Sequence, residues 1–510
     1  MIILGVAITV IAVIVVGIAV ARKVDGDSDN YLVAGRTLGL PLVAVSLTAA
    51  AVDANGTVGN TDLTSQFGFW AGGSLAIGLA FCLLFAGLFI AKPMNRMRLY
   101  SLGDFYRVRY GRATELTSSA IITIAFTVLL AGNLVACGYL LEYFAHIPYV
   151  IGLSVAAILV LAYTIAGGLF SDAYTSIIQV AITLVATVSM LVWVAVSYGI
   201  VIPQGMGPFD TGQLTDPAQG APINWATLIA LGIGDLVAID FMQRILAAKS
   251  PETARKACFV GAGMVFFVGT VFALVSLTAV GALGLSSEKA PILYQLLGEY
   301  APPLLAVLVL SGVVAASFST ASGAILATSG MIVRNMFQVR RQAESPNDPL
   351  LRWTRLVMIP LTLIGVLLAA RVSETGILLT LAFDLMLACL APAMLIGLYW
   401  KRPGVVAALA SAGVGLVLRL MFLVLIPTLY GVENTLLYIP NNIMGTEMDG
   451  WASLISAAAS ILTFVIIALV RPRTEAELAT SERELEKLAL ERGDSDRDTD
   501  TDTDTVLVPA

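Results

Sequence analysis

SLTAAAVDANGTVGNTD, residues 46–62, lies inside a long apolar segment and yet carries Asp53 near its middle. Small and β-branched residues surround that acid, and Gly56 and Gly59 follow it closely. A charge inside a bilayer costs several kcal/mol unless it is paired or faces a polar cavity. Non-helical backbone at that depth persists only where protein or such a cavity receives it. The stretch therefore reads as a membrane helix broken at mid-span, with carbonyls freed for a cation. The plainer alternative is a glycine-softened helix whose Asp53 bonds a neighbour.

Residues 231–250, LGIGDLVAIDFMQRILAAKS, repeat the pattern: Gly232 and Gly234 flank Asp235, and Asp240 follows. Counted along the chain, the first such stretch falls in the second apolar helix and this one in the seventh. An offset of five is odd, so the two run in opposite directions, as an inverted repeat of five helices demands. The ninth helix carries SGVVAASFSTASGAILATSG, residues 311–330, rich in hydroxyls. Small residues let membrane helices approach, and hydroxyls bond their own backbone, which accounts for most of them. The adjacent Ser319 and Thr320 also suit a hard cation that takes oxygen ligands.

Composition sets the class. Of 510 residues 58% are hydrophobic and 13% charged, with mean hydropathy +0.88. That is an all-α polytopic membrane protein. Thirteen membrane helices are predicted, near 2–21, 40–61, 68–91, 116–144, 149–166, 172–198, 225–246, 256–283, 301–333, 352–371, 375–399, 404–427 and 449–470. Residues 2–21 end in Ala19-Val20-Ala21 but lack a basic leader and are long for a signal peptide, so they read as a retained helix. With the N-terminus outside, every lysine and arginine falls in an inner loop or the tail except Lys289, Arg371 and Arg419. The loops 199–224 and 428–448 contain none. Cytoplasmic loops carry such an excess, which supports the count and an inside C-terminus. Arg419 lies within a helix and is expected to snorkel or pair.

Other chemistries are poorly served. Cys82, Cys137, Cys258 and Cys389 are dispersed in apolar segments and read as core residues. His146 is the single histidine, and no nucleophile has a base, so an enzyme is not expected. The basic, aromatic loop 93–115 fits a membrane surface better than a nucleic acid, and no obligate protein partner is evident. Residues 474–492 read as a short acidic helix with Leu478, Leu485 and Leu488 on one side. DSDRDTDTDTDT beyond it is disordered by composition. Both are expected to be solvated appendages. The expected domains are an extra helix at 1–23, a transport core at 40–400 divided into 40–198 and 225–400, two further helices at 404–470, and a largely disordered acidic tail at 471–510.

DNYLVAGRTLG (29–39), YTIAGGLFSDAYTSIIQ (163–179), QRILAAKSPETARKA (243–257) and APAMLIGLYWKRPG (391–404) resemble, in order and position, the signatures of the sodium/solute symporter family. That family includes proline, pantothenate, sialic acid and sodium/glucose transporters. The resemblance spans roughly residues 28–402 and implies a five-plus-five inverted repeat of leucine-transporter-like fold. It implies a sodium site made by the carbonyls of Ala51, Ala54 and Ala316 and the side chains of Ser319 and Thr320. Family members often carry an acid where this chain has Ser176, and some use it in a second sodium site. Here Ser322 matches that site but Gly323 offers no hydroxyl. One coupling Na+ is therefore favoured, with Asp172, one turn earlier, as the candidate substitute for the missing acid.

The solute is expected between the broken helices, against Asp53, Asn55, Gly56, Asp235, Ala238 and Phe241. Asp53, Asp235, Asp240 and Asp384 are the intramembrane acids, and the sequence sets no lysine or arginine of the core helices opposite them. That imbalance favours an amino-acid-, betaine- or amine-like solute over a sugar. The function read is sodium-coupled import of a small organic solute across the plasma membrane, with membrane lipid as the surroundings. The alternatives are proton coupling through Asp53 or Asp235, another solute such as a carboxylate or sugar, or a sensor or channel on the same scaffold.

Overall fold

The computed structural model describes residues 2–288, 290–342, 348–372 and 375–492. Lys289 and the DSDRDTDTDTDT run lie outside them. Among the described residues nine helices are long and apolar enough to cross a membrane, and three bent pairs raise the number to twelve. One of the nine, Tyr149–Ser197, has 49 residues and breaks at Gly168, with φ 54° and ψ −142°. At 1.5 Å per residue it is about twice a bilayer's apolar thickness, so it counts as two spans. Thirteen spans result, as the sequence implies.

In chain order they are α1 (Ile2–Val20), α2 (Leu40–Ala51 with Asn55–Phe67), α3 (Phe69–Met97), α4 (Arg112–Ala145), α5 (149–167), α6 (169–197) and α7 (Ala221–Val237 with Ile239–Ala247). Then come α8 (Pro251–Leu283), α9 (Pro303–Met336), α10 (Pro349–Arg371), α11 (Gly376–Cys389 with Pro392–Tyr399), α12 (Val405–Leu425) and α13 (Trp451–Val470). A final helix, α14 (Glu475–Arg492), covers part of one face of the bundle, called here the tail face. The opposite face bears the loop 199–220 and the small hairpin pairing Thr428–Leu429 with Val432–Glu433.

The halves of α2 meet at 56° and those of α7 at 47°. A third break, 52°, divides α11 before Pro392. Proline there removes a donor from the ladder and clashes with the preceding turn. The sequence reading treats 375–399 as one uninterrupted helix, and the kink corrects it. At the tail face the start of α2 is stitched to the end of α7: Leu38 N–H donates to Ala247 O at 3.1 Å, and Lys249 N–H to Leu38 O at 3.0 Å.

At the centre stands α9, in which every residue from 309 to 331 is buried. Its Ala, Ser, Gly and Thr side chains let neighbouring backbones close in, the packing that substitutes for a hydrophobic drive inside lipid. By contrast α1 is apolar all round and buries only Val6, Val10, Val13 and Gly17, a stripe at helical spacing. It packs on α9 and on the Tyr149–Ser197 helix, while Leu4, Ile8, Ile11 and Val15 point outward. All four cysteines are buried and free.

The tail helix is docked rather than loosely solvated. Glu491 accepts both terminal nitrogens of Arg334 at 2.6 and 2.9 Å, and Glu484 accepts Arg107 Nε at 2.6 Å. Leu488 is buried and Leu485 packs partly against the core, while Leu478 stays exposed.

Candidate functional site

The first half of α2 stops at Ala51, and Val52 leaves helical geometry at φ −96°, ψ 72°. The last carbonyls of a helix lack intrahelical partners. Here Thr48 O still accepts Val52 N–H, and those of Ala49 and Ala50 point toward α9. Thr320 Oγ1 lies 3.0 Å from Ala50 O, 3.4 Å from Ala49 O and 3.4 Å from Ala316 O. Thr320 and Ala316 of the expected cation set are thus brought onto the broken end of α2. The carbonyls it reaches are one and two residues before Ala51. A Cβ at Gly56 would come 3.2 Å from Ala51 O, so glycine keeps that carbonyl open to the break. Ala54 and Asn55 begin the resumed helix and are fully buried.

Asp53 organises the break. Its Oδ1 accepts Gly56 N–H at 2.9 Å, and its Oδ2 accepts Asn55 Nδ2 at 2.6 Å and Asn133 Nδ2, from α4, at 2.8 Å. Thr57 Oγ1 donates to Asp53 O at 2.7 Å. The carboxylate therefore acts as a helix cap and a tether to α4. Each amide gives its nitrogen to Asp53, so Asn55 Oδ1 and Asn133 Oδ1 are left buried without a donor among the described residues.

In α7 the break falls at Ala238, extended at φ −67°, ψ 126°. Phe241 N–H caps onto Asp240 Oδ1 at 2.8 Å, and the Phe241 ring is buried. Asp235 sits in the turn before the break, fully buried, and among the described residues neither carboxylate oxygen is hydrogen-bonded to an N–H or O–H. The Cys82 thiol of α3, a weak donor, is the polar group beside it. Both breaks pack against the same two helices, α3 and α11. At Gly234 a Cβ would stand 2.4 Å from Phe383 O of α11, so that approach excludes a side chain.

The second hydroxyl of the expected pair turns elsewhere. Ser319 Oγ donates to Asp172 Oδ1 at 3.2 Å and lies 3.4 Å from Ser176 Oγ. Ser322 Oγ donates to the same Asp172 oxygen at 2.8 Å, and Arg244 Nη2 pairs with Asp172 Oδ2 at 2.7 Å. Arg244, read from sequence as an inner-loop base, is fully buried, and its Nη1 also stands 3.8 Å from Asp240. Hence a core-helix arginine does face the acids, contrary to the sequence reading, and Asp172 is already matched by a cation. Asp384 is engaged as well: it pairs with Arg419 Nε of α12 and accepts Ser453 Oγ at 2.9 Å. Arg419 pairs rather than snorkels. The charge imbalance narrows to Asp53, which neutral donors hold, and Asp235.

Beside Ala316, Ala49 and Val52 lies a void of about 10 Å³, also lined by Gln179. Neither amide atom of Gln179 has a partner among the described residues. A larger cavity, about 420 Å³, opens on the loop face between the second half of α2 (Leu63, Phe67), the first half of α7 (Asn224, Thr227) and Thr380 of α11. Among the described residues no group of three or more His, Cys, Asp and Glu is placed to hold a metal ion. Asn133 was not singled out by sequence, and Cys82, Gln179 and Arg244 were read as a core residue, the end of a signature and an inner-loop base, not as groups facing the site.

The model of the Sodium:solute symporter family matches residues 31–415. The osmoregulated proline transporter OpuE of Bacillus subtilis is 26% identical over 81% of this chain and 87% of its own. The high-affinity choline transporter 1 of Torpedo marmorata is 23% identical over 77% and 70%. The high-affinity proline transporter PutP of Bacillus subtilis is 25% identical over 78% and 86%. Among solved structures, a substrate-bound, outward-open Na+-coupled sialic acid symporter superposes with TM-score 0.70 at 16% identity, covering 92% of this chain and 98% of that one. Mhp1, a nucleobase-cation-symport-1 family transporter, gives 0.55 at 15% identity over 89% and 98%. These likenesses show the fold, the five-plus-five inverted repeat with its broken helices.

Proposed function

The chain belongs to the sodium:solute symporter family, and we propose that it imports a small solute bearing an ammonium group, driven by one sodium ion per cycle. It is a multi-pass membrane transporter and not an enzyme. The observation that carries the solute class is a set of acceptors along the two breaks that no N–H or O–H among the described residues reaches: Asn55 Oδ1, Asn133 Oδ1 and both oxygens of Asp235, which has only the weak Cys82 thiol beside it. A buried acceptor without a donor costs about 1–3 kcal/mol. A ligand rich in N–H donors and positively charged relieves all of them, and a carboxylate or a neutral ether does not. Proline, named for OpuE and PutP, carries a cationic nitrogen with N–H donors; choline, named for the Torpedo marmorata relative, carries one without N–H that answers Asp235 by charge alone.

In this reading sodium enters between the end of α2 and α9, held by Ala51, Ala54 and Ala316 carbonyls with Ser319 and Thr320. The contact of Thr320 with Ala50 and Ala316 supports it, because it already gathers hydroxyl and carbonyl oxygens around one point. The solute sits beside the breaks, among Asp53, Asn55, Gly56, Asp235, Ala238 and Phe241. Asp53 shapes that site by holding the break, and Asp235 faces the ammonium. The concentration of basic residues at the tail face supports a plasma-membrane orientation with that face cytoplasmic. The loop-face cavity is then the outer vestibule. One charge driven through 100 mV supplies about 2.3 kcal/mol, enough for roughly a 50-fold solute gradient.

A second reading, proton coupling, draws on the same unpaired Asp235. A thermal-shift screen of purified protein separates them, using amino acids, amines, carboxylates and sugars with and without sodium. Stabilisation by ammonium-bearing compounds, enlarged by sodium and lost in Asp235→Asn, supports the proposal. Stabilisation by carboxylates or sugars, or indifference to sodium at fixed pH, contradicts it.

A further inference from the structure

We propose that α14 is a latch: by holding Arg334 through Glu491 and Arg107 through Glu484, it keeps the transporter closed at the tail face. The inference goes beyond the function proposed above and is independent of which ion or solute is carried.

The docking face is set by the spacing within α14. Ser481, Glu484, Leu485, Leu488 and Glu491 recur at helical steps and share one side of it. Ser481 and Leu488 are buried and Leu485 packs against the core, whereas Glu482 and Glu486 on the other side are exposed. The buried side rests on the loop helix Leu102–Tyr110.

Glu491 is the junction. Its two oxygens take both terminal nitrogens of Arg334, a fully buried side chain at the end of α9. The Nε of Arg334 is already held by Asp104 of the loop helix. A two-pronged contact between carboxylate and guanidinium is directional as well as strong. Glu491 Oε1 also accepts Arg341 N–H at 3.2 Å. Arg341 in turn donates to Asp27, in the segment that leads into α2, from Nε at 2.8 Å and Nη2 at 2.7 Å. Glu484 adds Arg107, which also reaches Glu115 of α4 at 3.3 Å. One appended helix thus ties the end of α9 to the start of α4 and, through Arg341, to the lead-in of α2.

Inward opening has to separate these parts. Alternating access in such folds is largely a rocking of one group of helices against another around a fixed site. In this structure the tail face is shut by the Leu38 and Lys249 N–H groups that stitch α2 to α7, while a cavity of about 420 Å³ opens on the opposite face. A brace between α9 and the lead-in of α2, made on the closed side by a helix that lines neither break, favours the closed arrangement. It must be released before that face opens.

The test is amide hydrogen exchange of the purified full-length protein, read by mass spectrometry at Leu38 and Lys249. Both donors are freed when α2 parts from α7, so their exchange reports that local opening. Glu484→Gln with Glu491→Gln should speed exchange at these two amides about fivefold or more, with the hairpin 428–433 on the loop face unchanged. Glu482→Gln with Glu486→Gln removes the same charge from the exposed side of α14 and should leave exchange within about twofold of wild type. Exchange at Leu38 and Lys249 within about twofold of wild type in the first variant overturns the proposal. Equal acceleration at the hairpin also overturns it, since that would be general loosening. So does equal acceleration in the second variant, since net tail charge would then be the cause. Should the first variant fail to fold, Glu491→Gln alone decides by the same criteria. Exchange is read without transport, so failure of the sodium or solute assignment leaves this result standing.

Discussion

Asn133 of α4 donates its side-chain nitrogen to Asp53 at 2.8 Å, joining the broken turn of α2 to a helix 80 residues further along the chain. The acid that marks the break in the sequence is therefore bound by protein, and it fixes where the backbone departs from the helix. Removing either partner strands the other. Asp53→Ala and Asn133→Ala should each lower the melting temperature in detergent, and their effects should be non-additive. A double-mutant cycle is expected to give a coupling of about 1 kcal/mol. Additive losses would mean that the contact carries no energy.

Gly168 separates α5 from α6 at φ 54°, ψ −142°, and a Cβ there would meet Tyr31 O at 2.5 Å. Backbone of this kind is essentially reserved for glycine and costs other residues on the order of 1–3 kcal/mol. Gly168→Ala should reduce the yield of folded protein on size-exclusion chromatography more than alanine at Gly263, where a Cβ meets nothing within 4 Å. Equal yields would remove the case for two spans hinged at a strained residue.

Asp384 and Arg419 are buried and paired. Losing one member of such a pair costs roughly 3–5 kcal/mol, because the survivor is left uncompensated, whereas replacing both is much milder. Arg419→Gln alone should lower the melting temperature strongly, and adding Asp384→Asn should recover most of the loss. No recovery in the double variant would show that Arg419 acts through packing.

At the tail face Asp104 accepts Arg334 Nε at 2.9 and 3.0 Å. Burial alone pushes its carboxyl up, but Arg334 and Arg340 outweigh burial and hold it below the ordinary carboxylate range. A depressed folded value means stability that is fully present above the unfolded value, about 3.9, and is lost as pH falls through the folded one. The difference in melting temperature between wild type and Asp104→Asn should be constant above about pH 4 and shrink below it. A difference that persists unchanged to lower pH would contradict the assignment.

The helix count was legible because length, hydropathy and the basic-residue bias each constrain it independently. The two acid-bearing breaks were legible from Asp53 and Asp235 in glycine-rich apolar runs. The third, at Pro392, lay in the open as a proline within an apolar segment, but no charge drew notice to it. Pairing was not legible. Arg244 lies on the same helix as Asp240 and 72 residues from Asp172, and a sequence does not say which helix faces meet. The basic-residue rule assigned Arg244 to a loop, since it counts charge near helix ends and is blind to depth. Asn133 carried no signal apart from being an amide inside an apolar helix.

The central claim is that the end of α2 and the middle of α9 jointly hold sodium. Equilibrium binding of radioactive sodium to purified wild type and to Ser319→Ala with Thr320→Ala tests it most directly. The account predicts saturable binding in the wild type and at least a hundredfold loss of affinity in a variant that still folds by size-exclusion chromatography. Undiminished sodium binding in that folded variant would contradict it.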